Sequence, residues 1–426
     1  MIAIAILTFF IVTMLIGLPV FFSMGVTSVF AFFLLGGSLQ IIPMKMFSGV
    51  DNFVYLAIPL FILASEIMNS GGITQRIVRF CNNLVGHITG GLAHVNILGS
   101  VLFAGISGSA TADVAGLGKL EVDMMTAAGY PRKFSAATTA ASAIIGPIIP
   151  PSTIMIIYAV CAGNVSVSDM FLAGFVPGLL IAFGEMVTVY ILAKKHGFPK
   201  NPRRATLKEV WISLLDTLPC LLLPVIIVGG IVTGVFTATE SAAVAVLYAL
   251  FMSAFVLKTF SWKDLYRALV NTAKTTSNVM VIIAISSAMA WVITALRIPQ
   301  AVTEFFITYA NSKLMFLLFV NILLLVVGML LDQSPALLIM VPILLPVAMQ
   351  LGIDPLHFGI VVVINLCIGL VTPPVGMTLF VTSNVARLKL TDLYSGILPY
   401  LPCLFAVMLI VTYFPAVITF LPGLFN

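Results

Sequence analysis

Long apolar runs, interrupted by short polar stretches, fill the chain from one end to the other. They predict helices near 2–22, 24–40 and 53–69, with Pro43–Asn52 between the last two lying at an interface. Further helices follow near 88–104 and 112–128, then a long broken segment over 134–160 and a span over 169–193. The most hydrophilic stretch, from Lys194 to Arg204, divides the chain almost in half. Beyond it the pattern predicts helices near 213–233, 237–257 and 276–296, a hairpin over 314–350, a broken segment over 357–383 and a last span over 393–420. Runs of about 20 apolar residues are long enough to cross a bilayer.

One motif occurs twice. Gly105–Pro151 and Gly328–Pro374 align at a constant shift of 223 positions, which pairs Gly105 with Gly328, Gly129 with Gly352 and Gly146 with Gly369. Pro150 and Pro151 then meet Pro373 and Pro374. Matches confined to Gly and Pro preserve backbone geometry, because these residues bend or break helices. Interrupted helices are tolerated at membrane depth only where protein buries them or where they line a site. The repeat therefore predicts a transporter built from two halves: 1–196 with a hairpin at about 88–128 and a broken helix at 134–160, a linker over 197–210, and 211–426 with the second hairpin and broken helix.

Composition agrees with this reading. The chain is 61% hydrophobic and 8% charged, against about 25% charged residues in soluble domains. Its net charge of +5 reflects loop bias; no basic stripe with interleaved aromatics points to nucleic acid. The cysteines are scattered without a Cys-x-x-Cys, so neither a disulfide framework nor a zinc site is indicated. If each polar break is a re-entrant hairpin, the loops sort by charge. One side receives Arg76, Arg79, Arg132, Lys133, the Lys194–Lys208 cluster, Lys258, Lys263, Arg267, Lys274, Arg387 and Lys389; the other receives Lys45, Arg297 and Lys313. The first hairpin then enters from the cytoplasm and the second from outside, the halves are inverted repeats, and both termini are periplasmic.

The breaks supply the chemistry. Small and hydroxyl residues from Gly105 to Asp113 let the backbone turn tightly, and Gly146–Pro151 loses three backbone donors and frees carbonyls. Such oxygens suit Na⁺, while half-helix N-termini suit a carboxylate. Asp113 and Asp332 are intramembrane acids, each either at the site or capping a half-helix. Neither break contains a histidine, so Na⁺ is the expected coupling ion, with more than one per cycle. Lys119, Glu121 and Asp123 are read as pairing with one another; Glu66, Glu185 and Glu240 stay open between an interface and local pairing. Gly105-Ile106-Ser107-Gly108 with His357 also fits an intramembrane serine protease, although the second break has no matching serine.

At these residues the chain resembles the large membrane subunit of tripartite ATP-independent periplasmic (TRAP) transporters. The resemblance spans essentially the whole length. It rests on Ile58–Ala64, Leu102–Ala110, Ile145–Ser152, Gly352–Gly359 and Leu370–Gly376. It implies an all-α polytopic membrane protein: an inverted-repeat, elevator-type transporter with two re-entrant helical hairpins and two broken helices. The family implies Na⁺-driven uptake across a bacterial inner membrane, with an organic acid delivered by a periplasmic binding protein and a small membrane subunit as a separate chain. Carried over by motif, one Na⁺ site uses Ser107, Ser109 and carbonyls of Gly146, Ile149 and Pro150. Its twin uses Gly328, Asp332, Thr372, Pro373 and Met377. Substrate is expected near Ser109, Asp113, Ser152 and Thr153. With no Arg or Lys close to both breaks, a monocarboxylate such as sialic acid is favoured over a C4-dicarboxylate. A stand-alone Na⁺-coupled anion symporter or a Na⁺/H⁺ antiporter is the alternative. Residues 88–160 and 314–383 are expected to pack together, with 2–40, 169–193 and 213–257 around them and the first two helices at the small subunit's interface.

Overall fold

A computed structural model of the chain describes residues 2–70, 73–201, 203–258, 260–309 and 312–425; Pro202, within the hydrophilic stretch read above, lies outside the described residues, as do Gly71 and Gly72. The first half holds α1 (Ile2–Leu15), α2 (Val20–Leu34), α3 (Ile41–Val50), α4 (Ala57–Ser70), α5 (Ile73–Val85) and α6 (Gly91–Ser107). After a sharp turn come α7 (Ala110–Asp113), a π-helical turn over Val114–Gly118 and α8 (Lys119–Ala127), then α9 (Arg132–Ala143), α10 (Thr153–Ala162) and α11 (Val167–His196). The second half holds α12 (Leu207–Val232), α13 (Ala238–Phe251), α14 (Trp262–Ala295), α15 (Ile298–Tyr309), α16 (Lys313–Leu330) and α17 (Gln333–Gln350). It closes with α18 (Pro355–Gly369), α19 (Met377–Ala386), α20 (Leu390–Ile397), α21 (Leu401–Tyr413) and the short turns α22 (Ala416–Thr419) and α23 (Pro422–Phe425). Among the described residues there is no strand.

The repeat seen in the sequence is a repeat of helices. The starts of α7 and α17 (Ala110, Gln333) and of α9 and α18 (Arg132, Pro355) stand at the same 223-residue shift. The cis peptide bonds Pro150–Pro151 and Pro373–Pro374 match as well. The first hairpin folds back by 120° between α6 and the α7–α8 arm. Its turn is made by Gly108, whose φ of 64° lies in the left-handed region, and by the extended Ser109.

Two groups of helices emerge. A frame is formed by α2, α3 and α4 packed with α13 and α14. A bundle is formed by the hairpins α6–α8 and α16–α17, the broken pairs α9–α10 and α18–α19, and α11 and α21. The placement of α11 corrects the expectation that residues 169–193 surround the hairpins. This helix packs on α6, α10, α18 and α21, and Gly174 and Gly178 face Ile148 and Ile149 at distances that leave no room for a Cβ.

Two more elements depart from the sequence reading. α5 and α15 are helices where the pattern shows only a polar connection and no element, respectively. α5 is amphipathic, with Ile73, Ile77, Phe80 and Cys81 buried along one stripe and Arg76 ion-paired with Asp216 of α12. α14 starts at Trp262, well before residue 276, because Ser261 and Asp264 form a reciprocal capping box. The equivalent stretch of the first half is the pair α3 and α4, bent by 62°.

Apolar side chains gain little by leaving lipid for protein, so buried hydrogen bonds and close packing hold such bundles together. In the first half Asn96 on α6 donates to Thr139 on α9 at 2.7 Å and accepts from Ser142 at 2.7 Å, and Ser100 bonds Ser142 at 3.0 Å. In the second, Asn365 on α18 donates to Asn321 on α16 at 2.8 Å, and Asn321 meets Thr412 of α21 at 3.2 Å. Ser142 and Asn365 are equivalent by the repeat shift. Each hairpin is thereby tied to its own broken helix. Asn96→Ala should remove the donor to Thr139 and the side-chain acceptor of Ser142 from a dry interior and cost about 1–3 kcal/mol. Thermal unfolding in detergent should show a lowered midpoint for Asn96→Ala, and little change for Thr233→Ala, an exposed helix-end hydroxyl.

Candidate functional site

Both hairpin tips line one cleft of about 620 Å³. Ser107, Ser109 and Thr111 come from the first tip, Asp332, Gln333 and Ser334 from the second, and Thr153 from the start of α10. The frame closes the other wall with Ser65, Glu66 and Asn69 of α4 and Thr275 and Asn278 of α14. Helix N-termini at Ala110, Thr153 and Gln333 all begin at this cleft. No Lys or Arg is among the residues that line it.

Behind the first tip lies a drier cluster. Ser107 donates its hydroxyl to Asp113 and to the carbonyl of Ser109 at 3.2 Å. Asp113 is buried, and its second carboxylate oxygen has no hydrogen-bond partner among the described residues. That oxygen faces Gly146, where a Cβ would collide with it; glycine is required there by this close approach. α9 ends in tightened turns, with Ile145 bonded to Ser142 and Gly146 to Ala143, both at 3.1 Å. The carbonyls of Gly146, Ile149 and Pro150 receive no hydrogen bond from the described residues. An orphaned carboxylate oxygen beside unclaimed carbonyls and a serine hydroxyl is a donor set that fits a small hard cation.

The second cluster is built differently. Gly328 packs on the backbone of Leu366 and Gly369, and Gly376 donates its N–H to Met329 at 3.1 Å, drawing the break to the hairpin tip. Asp332 stands at the N-cap position of α17, beside the backbone N–H of Gln333, and lines the cleft. The hydroxyl of Thr372 is spent on Ile368 at 2.7 Å. Pro373 and Met377 are half-buried, unlike the fully buried Pro147–Pro151 segment. Thr378, absent from the sequence reading, is fully buried with an unpartnered hydroxyl, and its N–H bonds Leu370 at 3.1 Å.

Several expected roles change. Asp113 and Ser152 do not line the cleft. Asp113 points into the first cluster, and Ser152 caps α10 while its hydroxyl donates to Pro147 at 2.5 Å. Ser109, Thr153 and Asp332 do line it. Asp123 pairs with Arg132 at 3.1 Å and not with Lys119, whereas Glu121 is buried against Gly99. Glu240 caps α13, Glu185 is fully buried on α11, and Glu66 accepts from Asn271 at 3.0 Å. Ser107 has an aspartate for its partner, and His357 bonds the carbonyl of Val411 at 3.1 Å, so no serine–histidine pair forms. The frame residues Ser65, Asn69, Thr275 and Asn278 were missed. The signal for Ser65 and Asn69 was polar residues one turn apart in an apolar helix; Thr275 and Asn278 lie within the polar run from Asn271 to Asn278 and had no such mark.

Comparison with known proteins places this geometry. The family described as "Tripartite ATP-independent periplasmic transporter, DctM component" matches residues 7–417. The chain is 44% identical to the sialic acid TRAP transporter large permease protein SiaM of Vibrio cholerae, covering 96% of each chain. It is 42% identical to the C4-dicarboxylate TRAP transporter large permease protein DctM of Pseudomonas aeruginosa, over 91% of this chain and 90% of that one. Among solved structures, the Alcanivorax borkumensis YdaH transporter has the same fold, with a TM-score of 0.64 at 14% identity over 89% of each chain. With its two hairpins, two broken helices and near-full-length relatives, the chain belongs to the DctM family, the large membrane component of TRAP transporters.

Proposed function

We propose that the chain is the carrier of a Na⁺-coupled, elevator-type uptake system for an organic acid in a bacterial inner membrane. A periplasmic binding protein would deliver the acid, and a small membrane component would brace the frame. The observation that carries this reading is the pairing of a substrate-sized cleft, free of Lys and Arg, with the orphaned carboxylate oxygen of Asp113 behind it. A carboxylate substrate there has two sources of positive potential: the converging helix N-termini and cations bound behind the tips.

Alternating access is supported by an asymmetry between the halves. The large cleft runs along α4 from Ile62 to Asn69 and along α7 and the π-helical turn from Thr111 to Gly116, towards the basic face. A second cavity, of about 240 Å³, lies on the opposite side, between Asp51, Asn52 and Tyr55, the Ser286–Ala290 stretch of α14, and Leu338 and Pro342 of α17. Asn52 and Tyr55 are the repeat equivalents of Thr275 and Asn278. The two cavities are thus inverted copies, one wide and one narrow. α17 lies along α14 on the narrow side. Sliding the bundle against the frame would exchange them, and reading the basic face as cytoplasmic makes this the inward-open arrangement.

For the substrate, the cleft offers hydroxyl and amide groups from Ser65, Asn69, Thr275 and Asn278 to a single acid group. This suits a polyhydroxylated monocarboxylate such as a sialic acid; a C4-dicarboxylate is the second reading, supported by the 42% identical relative.

Uptake into vesicles should require a Na⁺ gradient and rise with Na⁺ at a Hill coefficient above one. Robust uptake driven by a pH gradient in Na⁺-free buffer would overturn the assignment. Asp113→Asn and Asp332→Asn should each raise the Na⁺ concentration for half-maximal uptake by roughly tenfold or more, the loss of one charge-assisted ligand. Unchanged Na⁺ dependence in both, with folded protein, would remove the acids from ion binding. Asn278→Ala should instead raise the substrate KM about tenfold with the Na⁺ dependence unmoved, read from initial rates at saturating Na⁺.

A further inference from the structure

On the basic face, away from the cleft, two of the connections between frame and bundle meet. One is the turn from α5 to α6 through Gly86; the other runs from α11 to α12. The second begins against the bundle, where Phe198 packs on Phe134 with ring centroids 4.6 Å apart and Tyr130 donates its hydroxyl to Pro199 at 2.6 Å. It is then tied to the first connection: Asn201 donates its backbone N–H to Gly86 at 2.9 Å and its side-chain amide to Asn82 at 3.0 Å. Asn83 reaches Ser213 of α12 at 3.0 Å.

These bonds enclose a polar hollow of about 180 Å³. The amides on its walls are occupied with one another and with α12. The other polar groups are His87, Arg203, Arg204 and Glu209. Among the described residues Arg204 and His87 have neither an ion pair nor a hydrogen bond, and Arg203 approaches Glu209 only to 3.7 Å. Glu209 is committed elsewhere, accepting from the backbone N–H of Thr206 at 2.6 Å and from its hydroxyl at 2.9 Å. What remains is a polar recess where Arg203 is held only by its long pair with Glu209, and where the Arg204 guanidinium and the His87 imidazole are unpartnered among the described residues. Guanidinium forks pair bidentately with tetrahedral oxyanions, and the recess has room for one.

We propose that this hollow is a binding site for a phosphate-bearing anion, held by Arg203, Arg204 and His87. The phosphate could belong to a lipid headgroup or to a free phosphate compound; the chemistry of capture is the same. Because the walls come from both connections, an occupant would fasten the bundle to the frame and slow the carrier. That consequence rests on the elevator reading, whereas binding itself does not.

Purified protein in detergent, unfolded thermally in potassium phosphate against potassium chloride at matched ionic strength, tests binding with the Na⁺ sites left aside. The midpoint should rise saturably with phosphate, and Arg203→Gln/Arg204→Gln should raise the half-saturating concentration by about tenfold or more, with His87→Gln intermediate. Both arginines are exposed, and an unchanged midpoint without phosphate checks that the variant is folded. An equal rise in chloride, no rise at all, or the same rise in the double variant would overturn the site. Reconstitution then separates the sources. Uptake slowed by phosphatidic acid in phosphatidylcholine vesicles points to a headgroup, and uptake slowed by phosphate trapped inside plain phosphatidylcholine vesicles points to a soluble anion. Binding that leaves uptake unchanged in both would sink the fastening role and keep the site.

Discussion

Hydrocarbon offers no partner to a backbone amide, so any break in a helix at membrane depth must be wrapped in protein or line a cavity. The rest of this structure depends on that constraint. The segment from Gly146 to Pro151 is fully buried, enclosed by the Gly105 and Gly108 turn of the first hairpin and by α11. The second break, from Thr372 to Gly376, is drawn onto the tip of its own hairpin through Met329. Each hairpin therefore exists to cover a broken helix, and each broken helix supplies the oxygens that a hairpin alone would lack. The buried asparagine links between α6 and α9 and between α16 and α18 keep the two parts in register.

Chemistry is layered across the hairpin tips. Groups facing the cleft, such as Ser109, Thr153 and Asp332, meet whatever the cleft holds. Groups behind the first tip, chiefly Asp113 with the carbonyls of Gly146, Ile149 and Pro150, are shielded from it. In the proposed Na⁺-coupled cycle, a cation behind the tip and an anion in front would attract one another across a short, poorly screened distance, and that attraction would couple the two. The halves are not identical copies. The first has the deeper acid, and the second keeps its acid at the cleft with half-exposed prolines behind it.

Helical transport architecture was legible in the sequence because its markers are local. The apolar runs, the doubled Gly and Pro positions and the uneven spread of Lys and Arg are each visible without knowing any contact. The amphipathic helix α5 escaped because Arg76 and its neighbours lower the average hydropathy, although the buried stripe from Ile73 to Cys81 has helical spacing. Ser65 and Asn69 escaped because a polar residue in an apolar run does not say which way it faces, and Thr275 and Asn278 because the polar run from Asn271 to Asn278 does not say which of its members meet a cleft.

The residues alone determined that this chain spans a membrane, repeats itself, breaks its helices in two matching places and resembles the large membrane component of TRAP transporters; Gly, Pro and charge act over a few residues, and their effects can be read in place. Only the tertiary structure decided that Asp113 turns away from the cleft towards Gly146 while Asp332 faces it, that Ser152 is a cap, that α11 belongs to the bundle, and that one vestibule is wide and its inverted copy narrow. Those outcomes depend on the direction of a side chain after a sharp turn and on which helix packs behind it, and both are set by contacts between segments far apart in the chain.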